Sequence, residues 1–142
     1  MRMTKEELSL EYSKKLPLYK RAVDNLTQAL EIFLHENNVL YLNISGRIKE
    51  FDSFADKVER KRYCNPFEEN EDFCGIRIIV YYLKDVEVIQ ELIDREFTVI
   101  SSIDKTAQLS PNEFGYRSNH FIIKIKDEWL GAPNYRGLQG IK

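Results

Sequence analysis

The sequence predicts an α+β fold in which helices and strands intermix around one sheet. In one set of segments, apolar residues recur at three- and four-residue spacing, as on the buried stripe of a helix. In a second set they alternate with polar residues or form short unbroken runs, as in strands. The two kinds of segment interleave along the chain, so helices and strands must share one core.

Residues 4–38 are helical in pattern. Pro17 lacks an N–H and crowds the preceding turn, so it is expected to divide them into two segments. In the second segment Tyr19, Ala22, Leu26, Leu30 and Phe33 make one buried stripe, and Asn37-Asn38 is the stop. Leu40, Leu42 and Ile44 then alternate with Tyr41, Asn43 and Ser45, which predicts a strand that buries the first set and ends at Gly46. A helix over 51–63 turns Phe51, Phe54, Ala55 and Val58 inward. Residues 64–72 form an acidic, proline-containing loop. The most apolar segment, 74–82, predicts a central strand. Asp85 is placed to cap a helix carrying Val86, Ile89, Leu92 and Ile93. Strands follow at 98–103 and 121–125, joined by a loop that runs to Arg117.

At 142 residues and 43% hydrophobic content the chain is long enough for one domain with a sizeable core. It divides into a helical segment (1–38), the sheet with its candidate site (39–126) and a tail (127–142). A formal charge of -2 argues against binding nucleic acid by bulk electrostatics, while leaving room for a local basic site. Cys64 and Cys74 belong to no metal-ligand pattern and read as reduced thiols. No apolar run reaches membrane-spanning length and no signal-peptide core opens the chain, so a cytoplasmic protein is expected.

Three stretches carry candidate chemistry. The first is Gly46-Arg47-Ile48-Lys49 with Ser53 and Lys57. Lys49, Ser53 and Lys57 step by four and would share a helix face, with Arg47 just ahead. Such a strand–turn–helix entry suits a polyphosphate; taken alone, with the run Glu59-Arg60-Lys61-Arg62 beyond it, the pattern favours a solvated basic face. The second is Asp72, at the margin of the apolar strand and a natural Mg²⁺ ligand for nucleotide phosphates, followed by Arg77. On an ideal strand the two would face oppositely, so shared function requires Asp72 in the loop or a bulge at Gly75. Arg77 must either pair with a carboxylate such as Asp72 or open onto a ligand, and its guanidinium suits stacking on adenine. The third is 113–120, where Tyr116, Ser118 and His120 would project from one face of an extended segment beside Gly115. A flat ring with hydrogen-bonding neighbours suits a purine. Lys105 is a further phosphate contact or a plain surface lysine.

In their order and separation, Gly46-Arg47-Ile48-Lys49 with Ser53 and Lys57, Asp72-Phe73-Cys74-Gly75-Ile76-Arg77 and Gly115-Tyr116-Arg117-Ser118-Asn119-His120 resemble the synthetase domain of the RelA/SpoT family, specifically the small alarmone synthetases. The resemblance covers about residues 40–126. It implies an α+β fold with a mixed β-sheet flanked by helices, nucleotidyltransferase-like in outline, and a GTP pyrophosphokinase that moves pyrophosphate from ATP to the 3′-hydroxyl of GDP or GTP, releasing AMP. By position, Arg47 and Arg77 would sandwich adenine, and Lys49, Ser53, Lys57 and Lys105 would hold the ATP phosphates. Asp72 would coordinate Mg²⁺. Gly115, Tyr116, Ser118 and His120 would form the guanine nucleotide site, with His120 near the acceptor and counted with Asp72 as catalytic. Homotetramers are a further implication of the family.

The family also implies a catalytic glutamate in a Glu-Ile-Gln-Val-Arg-Thr-like strand motif. The chain reaches Lys142 where that strand would begin, which reads as a C-terminal truncation, so the chain as given is expected to be weakly active or inactive. Two other functions stay open: a tRNA 3′-end pyrophosphokinase of the same family, and a non-catalytic nucleotide-binding module.

Overall fold

The structure, a computed structural model, describes residues 3–104 and 119–135. Its first element, α1, runs unbroken from Lys5 to Glu36. Thr4 caps it by accepting from the Glu7 N–H at 3.2 Å, and its hydroxyl reaches the Glu7 carboxylate at 3.1 Å. Asn37 closes it, with a side-chain amide bond to the Phe33 carbonyl at 2.7 Å, and Asn38 takes the left-handed conformation at φ 57°. Pro17 does not divide the helix. It sits on the exposed face, where water can serve the carbonyl it deprives, and both halves of α1 are held by burial. Leu8, Tyr12 and Tyr19 enter one apolar cluster; Ala22, Leu26, Leu30 and Leu34 enter another.

The strand β1 (Tyr41–Ile48) pairs antiparallel with β2 (Cys74–Val80). The register slips between Tyr41 and Asn43, an irregularity that reverses the alternation. Leu40 and Leu42 are therefore exposed at 60% and 59%, against expectation, while Tyr41 and Ile44 turn to the core. Nor does Gly46 end the strand, which continues two residues beyond it.

One face of this ladder, with Ile44, Ile48, Ile76 and Ile78, lies on the cores beneath α1. Gly46 shares that face. A Cβ there would collide with Val23 Cγ1 and stand 3.3 Å from Thr27 Oγ1, so glycine is what lets strand and helix backbones approach. The other face carries Ser45, Arg47, Gly75 and Arg77.

The helix α2 (Phe51–Lys61) buries Phe54 and Val58, half-buries Phe51 and Ala55, and ends at Arg62 in the left-handed region. A short helix, α3 (Pro66–Glu69), interrupts the acidic loop. Tyr82 stands at the start of α4 (Leu83–Glu96), with Asp85 inside the first turn instead of at the cap. α4 buries Ile89, Leu92 and Ile93 as the periodicity predicts. The strands β3 (Phe97–Asp104) and β4 (Asn119–Ile125) form a second antiparallel ladder. The α+β class is as expected, but among the described residues its strands lie in two antiparallel ladders, not in one continuous sheet. Residues 127–135 fold back in two 3₁₀ turns, placing Trp129 against Phe33 and Phe97 and the Tyr135 hydroxyl 3.3 Å from the Asn25 carbonyl.

Gly46→Ala should destabilise the protein by about 1–3 kcal/mol in denaturant unfolding, because the added methyl overpacks a buried, stiff valine. The thiols should also separate. Burial pushes Cys74 up to about 12 while Cys64 is exposed, so a disulfide-exchange reagent at pH 8 should titrate one thiol in the native protein and both after unfolding.

Candidate nucleotide site

Lys49 leaves β1 as an extension of the ladder, its N–H donating to the Phe73 carbonyl at 2.8 Å. It therefore precedes α2 and does not share a helix face with Ser53 and Lys57, as the four-residue step had predicted. That same bond brings the loop before β2 alongside it. Asp72 lies in this loop, and Gly75 sits in regular register with no bulge.

The Lys49 ammonium meets Asp72 Oδ2 at 3.0 Å and Lys57 meets Oδ1 at 3.2 Å. One carboxylate thus bridges two lysines that arrive from different elements. The lysine side chains are 19% and 17% exposed and the aspartate 52%, so the cations are largely embedded while the anion faces water. Burial alone would raise the Asp72 carboxyl, but the hydrogen bonds and charges of Lys49 and Lys57 outweigh it and hold the group below its ordinary value. The bridge is therefore intact at neutral pH and is lost only as acid protonates Asp72 through that lowered range.

Arg47 pairs with Gly75 and Arg77 with Ser45, which puts both guanidinium side chains on the open face as diagonal neighbours. Gly75 presents no side chain there, and a Cβ on it would lie 3.8 Å from Arg47 Cγ. The result is a flat notch between two arginine stems. Among the described residues neither arginine has a carboxylate partner. Of the alternatives for Arg77, pairing with Asp72 is thus excluded, since Asp72 is taken by the lysines, and an outward-facing guanidinium remains.

Beneath the cluster lies an aromatic floor. Phe73 stacks on Tyr19 at 4.6 Å and on Phe67 at 5.6 Å, and packs tilted on Phe54 at 4.7 Å. The Tyr12 hydroxyl donates to the Lys49 carbonyl at 2.7 Å. Sequence reasoning missed Tyr12 because a helical tyrosine seven residues before Tyr19 reads as core; nothing local marks the oxygen as a partner for a distant carbonyl.

Ser53 is exposed on α2, one turn before Lys57. His120 is exposed on β4 opposite Ile103, and no described hydrogen bond or ion pair joins it to Asp72. Lys105, Gly115, Tyr116 and Ser118 lie outside the described residues. A shallow depression of about 440 Å³ lined by Thr98, Lys124, Lys126 and Glu128 shares no residue with the arginine–lysine cluster. No group of three or more potential metal-ligating side chains occurs among the described residues.

Residues 46–131 match the model of the region found in RelA/SpoT proteins. A GTP pyrophosphokinase of Bacillus subtilis (strain 168), YwaC, is 29% identical over 125 residues, covering 81% of this chain and 59% of its own. The crystal structure of small alarmone synthetase 2 from Bacillus subtilis superposes with a TM-score of 0.68 at 28% identity, covering 81% of this chain and 62% of that one. Small alarmone synthetase 1 from the same organism, solved bound to its product pppGpp, gives 0.65 at 25% identity over 80% and 62% of the two chains. The chain thus spans about three-fifths of the length of these relatives. The matched segment opens at Gly46 and contains the lysine–aspartate bridge and both arginines of the open face, and on that ground the chain belongs to the RelA/SpoT family.

Proposed function

We propose that the protein is a GTP pyrophosphokinase, transferring pyrophosphate from ATP to the 3′-hydroxyl of GTP or GDP to make (p)ppGpp and release AMP. The observation that carries this reading is the cluster in which Asp72 holds Lys49 and Lys57 together beside a two-arginine notch. It agrees with the activity named for the related YwaC and with pppGpp as the product bound to synthetase 1.

Each element has a physical task in that reaction. Arg47 and Arg77 receive adenine in the notch over Gly75, where guanidinium planes stack on a purine ring. Lys49 and Lys57 are embedded, so their ammonium groups are pre-aimed, and incoming phosphate oxygens compete with Asp72 for them. Ser53, and Lys105 in the segment outside the described residues, add phosphate contacts. As the lysines shift to phosphate, Asp72 is freed as an ionised oxygen ligand. A single half-exposed carboxylate fits Mg²⁺, which takes one or two protein carboxylates and completes its shell with phosphate oxygens and waters. When bound, the ion supplies charge neutralisation to the transferred group. Gly115, Tyr116 and Ser118 form the guanine side, with His120 near the acceptor hydroxyl. Catalysis is then positioning and charge stabilisation for in-line attack, with no covalent intermediate on the protein.

Incubation with β-³²P-labelled ATP at high enzyme concentration should place label slowly on GTP or GDP. Label on the 3′ end of tRNA alone, or calorimetry showing no ATP binding, would overturn the reading. Asp72→Asn should change unfolding stability by only about 1 kcal/mol, since the carboxylate itself faces water. The same variant should abolish transfer, and it should tighten metal-free ATP binding, because both lysines are then available. Calorimetry in EDTA against Mg²⁺ checks this.

A further inference from the structure

Tyr12 belongs to the first half of α1, ahead of residues 46–131 that the family model matches, yet it touches the site. Its ring is 8% exposed and packs at 5.6 Å on Phe51 and 6.3 Å on Phe54. The surrounding cluster includes the phenylalanines Phe51, Phe54, Phe67 and Phe73. A phenylalanine would fill the same space, so the oxygen needs its own explanation. It donates to the Lys49 carbonyl at 2.7 Å, across 37 residues of sequence. Burial, with Glu50 and Cys74 adding to it, raises the hydroxyl, which keeps it a proton donor at every physiological pH.

The partner is equally specific. The Lys49 N–H donates to the Phe73 carbonyl at 2.8 Å, so both backbone polar groups of Lys49 are taken. Phe73 adjoins Asp72, the residue that the Lys49 ammonium meets at 3.0 Å. The backbone of Lys49 is thus clamped on one side by α1 and on the other by the loop carrying its acidic partner. A lysine with four rotatable side-chain bonds is aimed only as well as its Cα is held.

We propose that Tyr12 is a positioning residue of the nucleotide site: its hydroxyl pins the Lys49 backbone and so sets the reach of the Lys49 ammonium toward the ATP phosphates. The inference rests on the phosphate role given to Lys49 above, and extends the site to a residue of α1.

Tyr12→Phe keeps the ring and removes only the donor. In this variant the Lys49 amide should exchange with deuterium on the order of tenfold faster, while amides in the middle of α1 stay protected. The dissociation constant of a non-hydrolysable ATP analogue with Mg²⁺ should rise about three- to tenfold, the worth of one hydrogen bond, with GDP affinity unchanged. Tyr135→Phe, which removes a hydroxyl contact to the Asn25 carbonyl in the other core cluster, should leave both readouts as in the parent. Unchanged Lys49 exchange in Tyr12→Phe overturns the proposal, as does faster exchange with unchanged analogue affinity. If the parent protein binds no ATP analogue, the proposed function fails, and Lys49 exchange alone decides whether the hydroxyl pins that backbone.

Discussion

The contact on which the rest depends is the close seating of β1 on α1 at Gly46. Without a side chain at that position the strand backbone lies against Val23 and Thr27, and the ladder formed with β2 has one face committed to the helix. That commitment sets which residues point outward. Ser45, Arg47, Gly75 and Arg77 have no other face to occupy, so the open surface is cationic with a gap in the middle. Gly46 therefore acts through packing and not through contact with any ligand.

The aromatic floor extends this logic to the end of the ladder. Tyr19, Phe54, Phe67 and Phe73 interlock at centroid distances between 4.6 and 5.6 Å, anchoring the backbone on which Asp72 rides. Such ring pairs add about 0.5–1.5 kcal/mol each beyond the area they bury, a substantial share of marginal domain stability. The salt bridges above them contribute little by comparison. Stability is thus supplied from below by apolar packing, which leaves the charges free to exchange partners. The proposed uptake and release of a polyphosphate would need that division.

α1 has a larger part than a covering helix would. Its C-terminal half joins both ladders to α4 in one core, while its N-terminal half supplies Tyr12 and Tyr19 to the floor beneath Lys49 and Asp72. An unbroken helix through Pro17 couples the two halves mechanically. The proline costs one helical hydrogen bond on the exposed side, and burial on both flanks offsets it.

Periodicity alone determined the α+β class, the stripes of α1, α2 and α4, and the positions of four strands, because alternation and three-to-four spacing distinguish strand from helix. The three short motifs also named Arg47, Lys49, Lys57, Asp72 and Arg77 before any geometry was known. What periodicity could not carry was anything decided by a partner distant in sequence. The slipped register at Leu42, the run of β1 past Gly46, the departure of Lys49 from the α2 face and the bond from Tyr12 all arise where one element meets another. A residue's own neighbours do not encode those meetings. They follow from which backbones can approach closely, and only the folded arrangement of helix against ladder settles that.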